Sequence, residues 1–445
     1  MYDLLQTKAM AWPAKPLGEL FRINSNQVVP MASPSAEFVH YSIPAWDLTG
    51  GPAVELGAQI ESNKTAIASP SVLVSKLNPR KPRVVAVPMP VDRTCCSTEF
   101  ICYQPKQASE DLNFWAYYFS SGDFSARLAR VAVGSTNSHT RASPKETLRW
   151  LVPDVPPTEQ RKIAQILNTL DTAIHETEAI IAKLNAVKQG LLQDLLTRGI
   201  DANGELRRSR IDAPNLYKKS VLGWIPKEWE EVSLGEIARR SGGILQTGPF
   251  GSQLHAHEYV LDGIPVIMPQ DMVNGDLSMK SIARINLRKA IVLSRHRVQP
   301  NDLVFSRRGD LSRCVAIEKE HTGWLCGTGC LLSRLPAKEI NGYWLALAYT
   351  QPGVQSQVMG RAVGSTMANL NSSILAAITI ARPPITEQNE IATRLKSPDT
   401  RIRHEEQELQ KMRFEKYGLM DELLSGRVRV TSLMAGVAAQ KRVSA

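Results

Sequence analysis

Long apolar runs are missing from this 445-residue chain: stretches such as Ile374-Leu375-Ala376-Ala377-Ile378 end far short of the ~20 residues a membrane helix needs. The first residues, Met1-Tyr2-Asp3-Leu4-Leu5-Gln6-Thr7-Lys8, lack the basic segment and apolar core of a signal peptide, so a soluble cytoplasmic protein is expected. Cysteine is scarce too. Cys95, Cys96, Cys102, Cys314, Cys326 and Cys330 form no Cys-x-x-Cys pair, and adjacent Cys95-Cys96 is no disulfide framework. His321 with Cys314, Cys326 and Cys330 matches no zinc-knuckle spacing, which predicts buried thiols and no metal. Catalytic signatures are equally absent. The Pro-Pro pairs read Val155-Pro156-Pro157-Thr158 and Arg382-Pro383-Pro384-Ile385, not the Asn/Asp-Pro-Pro-aromatic run that holds a flipped base for amino methylation. No glycine-rich loop follows a strand, and there is no Walker phosphate loop and no acid-x-Lys nuclease core. The eight histidines are scattered, and His255-x-His257 reads as surface loop. A chain with no catalytic site of its own is expected.

What the sequence does have is basic excess and repetition. Lys and Arg number 53 against 43 Asp and Glu, a net +10 that suits a polyanionic partner. Residues 201–382 hold 22 of these cations against 16 acids. The composition, 43% hydrophobic and 22% charged, is that of a globular chain. Ala132-Val133-Gly134-Ser135-Thr136 recurs as Ala362-Val363-Gly364-Ser365-Thr366. From Thr158 onward an offset of 228 holds for about forty residues: Ile163/Ile391, Leu167/Leu395, Asp171/Asp399, Lys188/Lys416 and Gly190/Gly418 stay in register. Trp12 with Leu17-Gly18-Glu19 parallels Trp229 with Leu234-Gly235-Glu236. The organisation is therefore A-B-A′-B′. Residues 1–155 and 221–382 are variable blocks with β-branched runs between Gly and Pro, and predict α+β domains with mainly β cores. Residues 156–200 and 383–426 are helical, 201–220 a linker in which Arg207-Arg208-Ser209-Arg210 are solvated, and 427–445 a tail.

The helical blocks carry narrow seams. Ile174, Ile181, Leu184, Lys188, Leu191 and Leu195 are spaced 7, 3, 4, 3 and 4, and Ile402, Leu409, Met412, Lys416, Leu419 and Leu423 repeat that phase. Each stripe has two available partners, its own variable block or the other helix; matching phase favours the two helices pairing. Ser397-Pro398-Asp399 reads as a helix start, so a break is expected there, with a long helix from Pro398 to about Leu424. A helix of about 28 residues is ~40 Å long, close to one ~34–36 Å turn of B-DNA, so such a spacer would put two readers on one face of a duplex.

Similar basic turns follow similar strands in the two variable blocks. Val72-Leu73-Val74-Ser75 leads to Lys76, Asn78, Arg80, Lys81 and Arg83, and Leu303-Val304-Phe305-Ser306 leads to Arg307 and Arg308. Arg, Lys and Asn suit base edges and phosphates, although a solvated hairpin turn accounts for each residue singly. Ser135, Thr136, Asn137 and His139 after the first Gly-Ser-Thr loop, and Ser365, Thr366 and Asn369 after the second, are the other candidate DNA contacts, with tight turns the alternative.

This combination resembles the specificity subunit of type I restriction–modification systems across residues 12–426. The A-B-A′-B′ plan, Pro-Pro-x-x-Glu-Gln ahead of each helix, the Gly-Ser-Thr loops and Gly223-Trp224-Ile225-Pro226-Lys227-Glu228-Trp229 carry the likeness. The resemblance implies two target recognition domains, each reading half of a bipartite DNA sequence, alternating with two long helices that pair as an antiparallel coiled coil. Glu159-Gln160 and Glu387-Gln388 mark the helix starts. It also implies partners: double-stranded DNA, two adenine-N6 methyltransferase subunits using S-adenosylmethionine, and restriction subunits using ATP and Mg. No cofactor falls to this chain. Pro398, where the first copy has Leu170, departs from the pattern. Little shared sequence between the recognition domains implies two different half-sites. A specificity partner of a methyltransferase-only or fused restriction enzyme, or a non-catalytic coiled-coil scaffold, are the competing readings.

Overall fold

The computed structural model describes residues 12–133, 141–362 and 369–431. The chain divides into two compact units, Met1–Ala179 with Glu406–Ala445, and Ile180–Glu405. Each unit therefore takes in parts of both long helices.

In the first unit, Ala14–Pro16 pairs antiparallel with Leu151–Pro153, closing the first variable block where it begins and ends. Its core sheet runs in the spatial order Phe21–Asn24, Phe100–Pro105, Ser71–Ser75, Val84–Val87. A five-stranded sheet stands beside it, and its Glu37–Tyr41 and Thr94–Ser97 strands run parallel. Aromatics are few in the chain but gather here: Phe21, Tyr103, Trp115, Phe119 and Phe124 are all buried, with Phe21 and Trp115 ring centres 5.2 Å apart. Helix Leu112–Ser120 supplies two of them, and Asp111 caps it by accepting from the Phe114 N–H at 2.9 Å.

The second unit repeats the plan. Glu230–Ser233 pairs with Thr379–Arg382, and the core sheet runs Ile244–Thr247, Cys330–Arg334, Leu303–Ser306, Cys314–Ala316. Helix Gly342–Tyr349 stands where Leu112–Ser120 does, capped by Asn341. The repeated Leu-Gly-Glu has a packing cause. A Cβ on Gly18 would sit 3.0 Å from the Leu148 carbonyl oxygen, and one on Gly235 2.8 Å from that of Ala376. At Gly235 the chain passes too close for a side chain, and at Gly18 a Cβ would need the Leu148 carbonyl to give by a few tenths of an ångström. All six cysteines are buried free thiols, and burial pushes Cys95 up to about 11.

The two long helices are Pro157–Thr197 and Ile385–Ser425, 41 residues each, longer than the 28 expected. They pair antiparallel. In the first unit Lys416 meets Asp171, Arg413 meets Glu178 and Arg429 meets Glu159; in the second, Lys188 meets Asp399. As one number rises its partner's falls. Along the seam Ile174, Leu195, Ile402, Leu409 and Leu423 are buried, and Ile181, Leu184, Leu191, Met412 and Leu419 half-buried. The expected break is a correction: Pro398 lies inside a continuous helix. Proline in a helix interior costs about 3 kcal/mol. Buried Ile391 and Leu395 before it and Ile402 after it hold both flanks in line.

A second correction concerns Arg207, expected in solvent. It is 6% exposed, because its guanidinium is paired with the Glu387 carboxylate and with Glu228 at 2.5 Å. A cation so placed is tolerated only when its donors are met.

Candidate nucleic-acid interface

The core sheets present matched loops. In the first unit the loop at residues 76–83 joins strands Ser71–Ser75 and Val84–Val87; in the second, residues 307–313 join Leu303–Ser306 and Cys314–Ala316. The same bonds build both. Ser75 Oγ donates to the Leu77 carbonyl at 3.0 Å and Ser306 Oγ to that of Arg308 at 2.8 Å. The Lys76 N–H donates to Glu99 and the Arg307 N–H to Gly329, each at 2.9 Å. The chain leaving each Gly-Ser-Thr segment then docks on the loop. Ala142 N–H reaches the Lys76 carbonyl at 3.1 Å, and Leu370 N–H reaches that of Arg307 at 3.0 Å. The basic turn and the chain that follows the Gly-Ser-Thr segment therefore meet at one place in each unit.

Individual candidates differ in their commitments. Arg80, Lys81 and Arg308 are exposed, and Lys76, Asn78 and Arg307 half-buried. Asn78 takes the left-handed conformation, φ 48°, that turns the first loop. Arg307 Nε donates to Asn369 Oδ1 at 3.1 Å, joining two predicted residues. Arg83 is withdrawn from the exposed set: it is buried and holds Asp47 through Nε at 2.8 Å and Nη2 at 2.7 Å. Lys81 also reaches Asp47, at 3.1 Å, and the two cations hold that carboxyl well below the usual carboxylate range. Ser135, Thr136, Asn137, His139, Ser365 and Thr366 lie outside the described residues. Among the described residues no group of three or more His, Cys, Asp or Glu is placed to hold a metal, and no helix is long and apolar enough to cross a membrane.

The Pro-Pro-x-x-Glu-Gln motif turns out to be a joint. Gln160 donates to the Val155 carbonyl at 2.9 Å and accepts from the Asp111 N–H at 2.8 Å; Gln388 does the same with Pro383 and Asn341, each at 2.9 Å. It thereby ties the start of each long helix to the cap of a domain helix. Glu159 and Glu387 bind Arg429 and Arg207, from the segments that follow the opposite helix. Further in, Asp171 takes Lys416 at 2.5 Å and the Tyr117 hydroxyl at 2.6 Å. Asp399 takes Lys188 at 2.5 Å and the Tyr343 hydroxyl. Burial, then the neighbouring carboxylate, pushes both tyrosines up. The repeat Asp171/Asp399 and Lys188/Lys416 was visible in the sequence, but nothing there indicated that each Asp takes the other copy's Lys.

A double-mutant cycle checks this cross-pairing. Asp399→Asn and Lys188→Met should each destabilise the second unit and couple by about 1–2 kcal/mol in denaturant unfolding. The outer Arg413–Glu178 pair, with side chains 50% and 40% exposed, should couple by less than about 1 kcal/mol. Additive effects for Asp399 and Lys188 would remove the clamp.

Residues 11–186 and 226–412 match the family model described as type I restriction modification DNA specificity domain. The MjaVIII specificity subunit of a type I restriction enzyme from Methanocaldococcus jannaschii is 24% identical over 295 residues, 63% of each protein. The EcoBI specificity subunit of Escherichia coli is 23% identical over 253 residues, 55% of this chain and 50% of that one. The chain thus spans between half and two thirds of these relatives. Among solved structures, the S subunit of a type I restriction–modification system from M. genitalium superposes with a TM-score of 0.60 at 13% identity, covering 94% of this chain and 98% of that one. A chain from a structure of type I R-M complex assembly and conformational transition gives 0.51 at 19% identity, covering 94% and 98%. At those identities the superpositions speak for the fold.

Proposed function

Because the chain belongs to the family of type I restriction modification DNA specificity domains, we propose that it is the DNA-reading subunit of such a complex. It reads an asymmetric bipartite target in cytoplasmic DNA and directs adenine methylation and restriction by partner subunits. The observation that carries this reading is the duplicated loop pair. Two units of one fold each present a basic hairpin turn with the Gly-Ser-Thr exit docked on it. Their candidate contact residues differ: Lys76, Asn78, Arg80 and Lys81 in one, Arg307, Arg308 and Asn369 in the other. Different side chains at one place in the fold favour two different half-sites.

Two methyltransferase subunits carrying S-adenosylmethionine, and restriction subunits using ATP and Mg, complete the proposed assembly. The reader itself acts by positioning. Phosphate contacts set its register and base edges supply the choice.

Single-molecule methylome sequencing of DNA exposed to the chain with its methyltransferase tests this. A split motif with modified adenines is the expected result, and duplex binding should weaken steeply as salt rises. Salt-insensitive association, or methylation without a split motif, would leave the coiled-coil scaffold as the better account.

A further inference from the structure

The two loop sites each hold one arginine by its Nε from a neighbouring acceptor, but the arginine comes from different elements. In the second unit it is Arg307, on the hairpin loop, bonded to Asn369 on the exit chain. In the first unit it is Arg141, on the exit chain, which donates Nε to both Glu99 carboxylate oxygens at 3.1 and 2.9 Å. Leu77 bridges to Arg141 and Arg308 bridges to Asn369, so Arg141 stands where Asn369 does in the repeat, and Lys76 stands where Arg307 does. Arg141 has a side chain 48% exposed. Among the described residues, the terminal nitrogens of Arg141 and Arg307 meet no hydrogen-bond partner.

A guanidinium anchored through Nε keeps its two terminal N–H groups as a planar fork. That fork matches the O6 and N7 acceptors of guanine in the major groove, which no other base presents together. Anchoring also removes rotamer freedom before DNA arrives, so less is lost on binding. From this geometry we infer that Arg141 and Arg307 are the specificity-determining residues for one guanine in each half-site, with Glu99 and Asn369 as their positioning residues. Arg141 carried no motif in the sequence and enters only through its docking beside Lys76. The two forks are offset by one element, so the guanines need not occupy equivalent positions in the half-sites.

The inference rests on the DNA-reading function, and the test separates the two. Duplexes enriched from a random library by the full-length chain with its methyltransferase are remade with 7-deazaguanine, which lacks N7, at each guanine in turn. One position per half-site should lose binding by about ten- to a hundredfold. With Arg141→Met that loss should vanish at one half-site only, and with Arg307→Met at the other, while thermal unfolding stays unchanged. The wild-type measurement needs no variant, so misfolding cannot mask the answer. A split motif indifferent to 7-deazaguanine, or a variant that alters both half-sites alike, overturns the arginine assignment and leaves the function standing. No enriched sequence at all overturns both.

Discussion

Replacing Glu387 by alanine is expected to destabilise the second unit by about 3–5 kcal/mol, because it leaves a buried cation without its main partner. Glu387 accepts from the Ile200 N–H at 2.8 Å, Trp229 Nε1 at 3.1 Å and Arg207 Nη2 at 2.9 Å, with Arg207 Nη1 on the same carboxylate. Only Glu228 would remain for Arg207, and its side chain is 68% exposed. Gly199, at φ 63°, passes so near that a Cβ would lie 2.1 Å from Glu387 Oε1. Adding Arg207→Met to Glu387→Ala should recover much of the loss, since an apolar side chain tolerates the site that a lone guanidinium does not. Urea unfolding read by hydrogen exchange within residues 226–405 measures both. The matching Glu159→Ala should have less effect, because Arg429 is 36% exposed and can rehydrate. A loss below about 1 kcal/mol for Glu387→Ala would mean that the joint is not held by charge.

Repetition made most of the architecture readable. Residues that recur in the two halves sit at equivalent places, from Trp12 and Trp229 to the two Glu-Gln pairs, and the seam phase located the helix pair. What stayed hidden was the identity of distant partners. Arg207 reads as a solvated linker residue because its carboxylate lies 180 positions on. Arg83 looks like a free cation until Asp47, 36 positions earlier, is brought beside it. Pro398 misleads for a related reason. Local propensity argues for a helix start there, and only tertiary burial of Leu395 and Ile402 overrides it. At the loops the sequence distinguished cations from other residues but not the anchored from the mobile. That difference makes Arg141 a candidate.

Leu195→Ala and Leu423→Ala are expected to act crosswise. Leu195 belongs to the first helix, yet it packs in the core cluster of the second unit with Trp229, Ile391 and Leu395. Leu423 belongs to the second helix, yet it packs with Trp12, Ile163 and Leu167 in the first. Both are 2% exposed, and truncating a leucine so buried typically costs about 2–5 kcal/mol through lost transfer energy and the cavity left behind. Leu195→Ala should therefore lower hydrogen-exchange protection in strands such as Leu303–Ser306 while sparing Ser71–Ser75, and Leu423→Ala should do the reverse. On the proposed function, DNA recognition should follow the same crossing, each variant weakening the half-site assigned to the domain that its own helix does not follow. If each helix serves only the domain before it in the chain, the pattern inverts: Leu195→Ala would loosen the first domain, and the antiparallel exchange of helix ends would be wrong.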